Sequence, residues 1–125
     1  MNNKNNFPAS AWVELIEDIM GEKVFDVPED SFDVAWQGLP ALLDTLEERQ
    51  ADVLYFRYAE RMTYKAIALR LPRRDKSSRR GLTSDRVRQI QYQALRKLRY
   101  PTRLRILKSC IVGDSFKWTP WFAKI

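Results

Sequence analysis

Between Thr83 and Arg99 the apolar residues Val87, Ile90, Ala94, Leu95 and Leu98 recur at steps of three and four, the period of a helix with one buried face. Thr83 is placed to cap its start, and Asp85 in the first turn suits the positive end of the helix dipole. The same period recurs along the chain. Residues 10–20 put Trp12, Leu15, Ile16, Ile19 and Met20 on one side and Glu14, Glu17 and Asp18 on the other, with Gly21 as the stop. Leu42, Leu43 and Leu46 line a short helix, and Val53, Leu54, Tyr55 and Tyr58 line another near residues 47–60. Thr63 caps a third, with Ile67, Ala68 and Leu71 as its buried side and Pro72 as its end. Past Pro101, residues 102–112 form a last short helix on Leu104, Ile106, Leu107 and Ile111. The pattern predicts an all-α domain of five to six helices.

The intervals between these helices differ in character. Residues 1–8 are a polar lead. Residues 22–38 set Phe25, Phe32 and Trp36 among Asp26, Glu29, Asp30 and Asp33, with a turn at Pro28. Residues 72–82 form a polar loop, and the tail 113–125 carries Phe116, Trp118, Trp121 and Phe122. The organisation expected is an acidic and aromatic extension with one helix over residues 1–38, a helical domain over 39–112, and an aromatic tail over 113–125. Within the domain, the helix after Thr63, the loop and the helix after Thr83 read as a helix-turn-helix. The first helix would brace on a DNA backbone and the second would enter the groove.

Charge sharpens this picture. The net +6 conceals a block at residues 73–108 with thirteen Lys/Arg against two Asp/Glu, whereas residues 1–72 carry seven against thirteen. A basic block on a helical frame implies a polyanion partner. On the 83–99 helix, Arg86, Arg88, Gln89, Gln93, Arg96 and Lys97 face away from the apolar seam. Arg and Gln are the side chains that make bidentate bonds to guanine and adenine edges in the major groove.

Other classes of function find no support in the residues. No run of about 18 apolar residues is present to span a membrane. The polar start lacks the apolar centre of a signal peptide, so a cytoplasmic protein is expected. One cysteine and no histidine rule out an intramolecular disulfide and leave a zinc finger short of ligands; Cys110 is expected to pack in the core. With no glycine-rich phosphate loop, metal cluster or nucleophile–base pair, neither enzyme, cofactor nor metal is expected.

The run Leu43-x-x-Leu46-x-x-Arg49-Gln50-x-x-Val53-Leu54-x-x-Arg57-Tyr58, then Thr63-x-x-x-Ile67-Ala68, then Thr83-x-x-Arg86-Val87-Arg88-Gln89-Ile90-x-x-x-Ala94-Leu95-Arg96-Lys97-Leu98-Arg99-x-Pro101 resembles region 4 of primary-type bacterial sigma factors. The resemblance covers about residues 39–111 and is most specific at 83–101. It implies a helix-turn-helix that binds the minus-35 promoter element in double-stranded DNA and docks on the flap of the RNA polymerase beta subunit. By position, Ser84, Asp85, Arg86, Arg88 and Gln89 fall where that family's recognition helix touches DNA. Arg88 and Gln89 match the motif outright. Asp85 stands where the family usually has Glu, and Ser84 replaces a basic residue, so a DNA preference different from the usual one is expected. Together these readings assign base edges to Arg86, Arg88, Gln89 and Gln93, and phosphates to Arg96, Lys97, Arg73, Arg74, Arg79 and Arg80.

Two departures from the family carry open alternatives. The loop from Pro72 to Leu82 has 11 residues where the family has a very short turn. Its Arg73, Arg74, Lys76, Arg79 and Arg80 form either a phosphate-gripping arm or a solvated surface loop. A full sigma factor also carries a larger domain that captures the minus-10 element and helps melt DNA, and residues 1–38 are too short and too acidic to be it. The resemblance thus implies either a partnership with a second small protein supplying that domain or a regulator of one promoter or polymerase surface. An alternative is a protein-interaction module that binds polymerase, a sigma factor or an anti-sigma factor through residues 10–36 and Trp118, Trp121 and Phe122. A third is self-masking, with acidic residues 1–38 folded over the basic helix.

Overall fold

The computed structural model describes residues 7–25, 36–71, 82–111 and 120–125, the side chain of Trp36 excepted. The expected turn at Pro28, the basic loop residues 72–81 and the tail residues Phe116 and Trp118 lie outside them. The regular elements of the described residues are helices, with no strand beyond single bridge positions at Phe25 and Ile111. It comprises α1 (Ala9–Met20), a 3-10 turn (Trp36–Gly38), α2 (Pro40–Leu43), α3 (Glu48–Leu54), a π-helical turn (Tyr55–Ala59), α4 (Tyr64–Arg70), α5 (Ser84–Leu98), α6 (Pro101–Cys110) and α7 (Pro120–Ala123). Five of the α-helices have seven residues or more, and α2 and α7 are single turns.

The ends of α1 show why the chain turns back on itself. Gly21 takes the left-handed conformation at φ 78°, a backbone that strains any residue with a side chain, and its N–H reaches the Glu17 carbonyl at 2.8 Å. The Glu17 carboxylate then accepts from the Val24 amide at 2.8 Å and the Phe25 amide at 3.4 Å. These bonds hold Val24 and Phe25 down, and both are buried.

Two hydrophobic clusters result. The larger joins Trp12, Leu15, Ile16 and Ile19 of α1 to Leu42, Leu43, Leu54, Ala94, Leu98, Leu104, Leu107 and Phe122. Phe7 stacks on Trp12 with ring centroids 4.4 Å apart, closing one end. The smaller joins Val53, Ile67, Ala68, Leu71, Val87 and Ile90, with Phe56, Met62, Tyr64 and Leu82 packed around them. At about 1.5–3 kcal/mol for each fully buried large aliphatic side chain, burial in these clusters outweighs any surface pair described below.

The expected helix at 47–60 forms, but its last turn is wound more loosely. Glu47 and Gln50 make a reciprocal capping box at its start. At its end the Glu60 amide reaches the Tyr55 carbonyl at 3.2 Å, one residue further back than in an α-helix. Arg61 then adopts a left-handed φ of 54°, and the Met62 amide closes onto the Phe56 carbonyl at 3.0 Å. Arg57 and Arg70 lie over the Tyr64 and Phe56 rings, 4.2 and 5.1 Å from their centroids, bracing this exit against α4. Gly38 admits α6. A Cβ there would sit 2.9 Å from Cys110 Sγ, so the close approach requires glycine. Cys110 is buried, as its place on the apolar side implied.

Candidate nucleic-acid interface

Both helices of the helix-turn-helix begin on a threonine cap. Thr63 Oγ1 accepts from the Ala66 amide at 3.1 Å, and Thr83 Oγ1 accepts from the Arg86 amide at 3.0 Å. Each cap satisfies a backbone donor that the first helical turn leaves without an intrahelical partner. From Thr83 onward α5 buries Val87, Ile90, Ala94 and Leu98, with Leu95 half-buried beside them. Val87 and Ile90 belong to the smaller cluster, Ala94 and Leu98 to the larger. The one helix therefore spans both clusters.

The opposite face carries the residues singled out from the sequence. Ser84, Asp85, Arg86, Arg88, Gln89, Gln93 and Arg96 are all exposed. Two pairs order its first turns. Arg88 Nη2 donates to Asp85 Oδ1 at 3.0 Å, and Arg86 Nη1 donates to Gln89 Oε1 at 3.3 Å. Exposed pairs of this kind contribute about 0–1 kcal/mol, less than the ~1–3 kcal/mol of a bidentate contact to a base. They orient the side chains without locking them.

Lys97 is placed differently from its neighbours. It is half-buried, and its Nζ donates to Gln50 Oε1 at 3.2 Å with Glu47 Oε1 4.0 Å away. It thus ties the C-terminal half of α5 to the capping box of α3. Between these two helices Glu47, Gln50, Arg86, Gln93, Arg96, Lys97 and Tyr100 line an open cleft of about 410 Å³. Three cations against one carboxylate give it a positive balance suited to an anion such as a phosphate. The structure thus groups Arg86, Gln93, Arg96 and Lys97 on one flank of α5. Arg73, Arg74, Arg79 and Arg80 lie outside the described residues.

Other features of α5 are not explained by the apolar period. Gln91 is buried in the seam. Its Nε2 donates to the Tyr58 hydroxyl at 2.9 Å, and that hydroxyl donates to Asp18 Oδ2 at 2.5 Å. Burial, reinforced by the Asp18 carboxylate, pushes the Tyr58 hydroxyl pKa well above the usual tyrosine range, so it stays protonated and available to donate. This polar chain links α1 to α5 through the π turn. Gln91 Oε1 has no hydrogen-bond partner among the described residues. Its position four residues after Val87 and three before Ala94 is the sequence signal for its burial. Tyr92, on the outer face, is 55% exposed.

The carboxylates of α1 are engaged locally. Glu14 meets Arg61 at 3.3 Å, Glu17 holds the Val24 and Phe25 amides, and Asp18 takes the Tyr58 hydroxyl. Among the described residues, these contacts leave the exposed arginines of α5 uncovered. No helix among the described residues is long and apolar enough to cross a membrane.

Fold and site together define a small all-α domain built on a helix-turn-helix, with an Arg- and Gln-rich face on its second helix. Its relatives are primary sigma factors, as the resemblance implied. The RNA polymerase sigma factor SigA of Microcystis aeruginosa and that of Synechocystis sp. are each 37% identical to the chain over 92 residues, a match covering 69% of the chain and 20% of each relative. SigA of Nostoc sp. is 35% identical over 92 residues, covering 69% of the chain and 21% of the relative. The chain thus spans about a fifth of the length of the curated relatives it matches. No protein-family model matches the chain, and no solved structure matches it significantly.

Proposed function

We propose that the chain works in transcription initiation with RNA polymerase, as a region 4-like domain whose α5 reads promoter DNA in the major groove. The observation that carries this reading is the exposure of Arg86, Arg88, Gln89 and Gln93 on a capped helix anchored in two hydrophobic clusters. Its support from outside the molecule is the similarity to SigA. In this reading Arg86, Arg88, Gln89 and Gln93 address base edges, with Ser84 and Asp85 at the entry to the groove. Arg96, Lys97 and the loop residues Arg73, Arg74, Arg79 and Arg80 hold phosphates. Asp85 pairs with Arg88 and turns its guanidinium, so these two act as one reading unit. Docking on the beta flap, and a second small protein that melts DNA, complete the assembly.

Selection from a random duplex pool, followed by fluorescence anisotropy across a salt series, tests this. The expected outcome is one enriched motif and a log–log salt slope of about −0.9 per phosphate neutralised. Failure to enrich any motif, with or without core polymerase, would defeat the DNA-reading role. Co-purification of RNA polymerase from the native host tests the other half. Recovery of the chain without polymerase would confine it to binding promoters on its own.

A further inference from the structure

We infer that Tyr92 is a further base-reading position of α5, and that its ring covers the 5-methyl group of a thymine in the major groove. The inference rests on the reading of α5 as a DNA-reading helix and adds the apolar part of the code to it. Side chains that reach base edges from a helix lying in the major groove can be spaced i, i+3, i+4 and i+7, as in homeodomains. On α5 that spacing selects Asp85, Arg88, Gln89 and Tyr92. All four are exposed, and Tyr92 stands at the edge of the exposed face, where it also borders a cleft with Glu14, Asp18, Arg57 and Tyr64. Three are polar and pair among themselves or with Arg86. The fourth is a large aromatic side chain, 55% exposed, whose hydroxyl takes part in no hydrogen bond among the described residues.

The chemistry of the groove indicates what such a ring meets. Thymine alone among the four bases presents a methyl group there, and apolar side chains recognise it. Helical side chains lean toward the helix N-terminus, which brings position 92 back over the turn that carries Arg88 and Gln89. A thymine read by Tyr92 then lies next to the bases read by that turn. The ring gains burial that it lacks in the free protein, and the hydroxyl stays in water beyond the methyl group.

The test replaces each thymine of the selected duplex in turn by deoxyuridine, which removes the methyl group and leaves base pairing intact. At one position the wild-type protein should bind about three- to fivefold more weakly, the worth of one buried methyl group. Tyr92→Ala should bind thymine and uracil duplexes equally at that position. Tyr92→Phe should keep the wild-type difference, since the ring and not the hydroxyl makes the contact. Equal wild-type binding to every uracil duplex would overturn the inference. So would a methyl dependence that survives in Tyr92→Ala, or a Tyr92→Phe protein that behaves like Tyr92→Ala. In each of those cases selective binding by the wild type leaves the DNA-reading role of α5 standing, whereas a wild type that selects no duplex overturns both.

Discussion

The two halves of α5 are held in different ways. The C-terminal half sits in the larger cluster through Ala94 and Leu98 and is tied to α3 by Lys97 and to α1 by the Tyr58–Gln91 chain. The N-terminal half rests on the smaller cluster through Val87 and Ile90 and is otherwise secured by its own Thr83 cap. Long-range polar ties are thus concentrated away from the first turns, where Arg86, Arg88 and Gln89 are exposed. The exposed Arg and Gln side chains of the first turns are anchored from below by two aliphatic residues and left unobstructed above. A helix built in this way can change what it presents without disturbing what it stands on.

The largest effect that can break this contrast is Leu98→Ala. Removing a fully buried leucine from the larger cluster should cost about 2–5 kcal/mol, read by urea denaturation, and should unfold the two halves together. A loss under about 1 kcal/mol would mean that the larger cluster does not anchor α5. Next is Tyr58→Phe, which strands Asp18 and the Gln91 amide at a cost of roughly 1–3 kcal/mol. The same variant carries a pH signature. The Tyr58 hydroxyl is held protonated in the folded chain, so the unfolded chain loses its proton first as pH rises through the ordinary tyrosine value of 10.0. Wild-type stability should therefore fall above that pH, and the fall should be shallower in Tyr58→Phe. Identical alkaline profiles would show that Tyr58 ionises as it does in an open chain.

At the other half the contrast concerns binding rather than folding. Arg88→Ala should weaken the selected duplex by about 1–3 kcal/mol and relax its sequence preference, with little change in unfolding. Unchanged affinity and preference would remove Arg88 from the reading surface. Thr83→Ala should cost about 0.5–2 kcal/mol of stability by uncapping the helix. Circular dichroism with thermal melting would detect it, and an unchanged melting temperature would mean that the first turn has another anchor. The smallest difference expected is between Arg96→Ala and Lys97→Ala. The first should reduce the salt slope of binding by about one, the second by less, because Lys97 is already turned toward Gln50. Equal slopes would show that Lys97 leaves that partner for DNA.

Whatever repeats at helical spacing was visible in the chain before its fold was known. The Thr63 and Thr83 caps, the seam of Val87, Ile90, Ala94 and Leu98, and the acidic side of α1 all follow from local periodicity and capping chemistry. Gln91 sits at the spacing of the seam, but its polar partner did not follow from that spacing, and neither did the placement of Lys97. Gln91 is polar in an apolar seam because Tyr58, 33 residues away, accepts its amide proton. Lys97 leaves the outer face because Gln50 lies 47 residues away in sequence and within reach in space. Long-range pairs of this kind leave no mark in a periodic pattern. The π turn at Tyr55–Ala59 was not legible either, because its apolar spacing is that of an ordinary helix.

The close packing of α6 against Gly38 makes the single cysteine of the chain a clock. Cys110 is buried, with its sulfur near the Gly38 backbone, and burial raises its thiol pKa. An alkylating reagent reaches it once the packing around the end of α6 opens. The rate of labelling therefore times that opening, and any partner that clamps that packing should slow the clock.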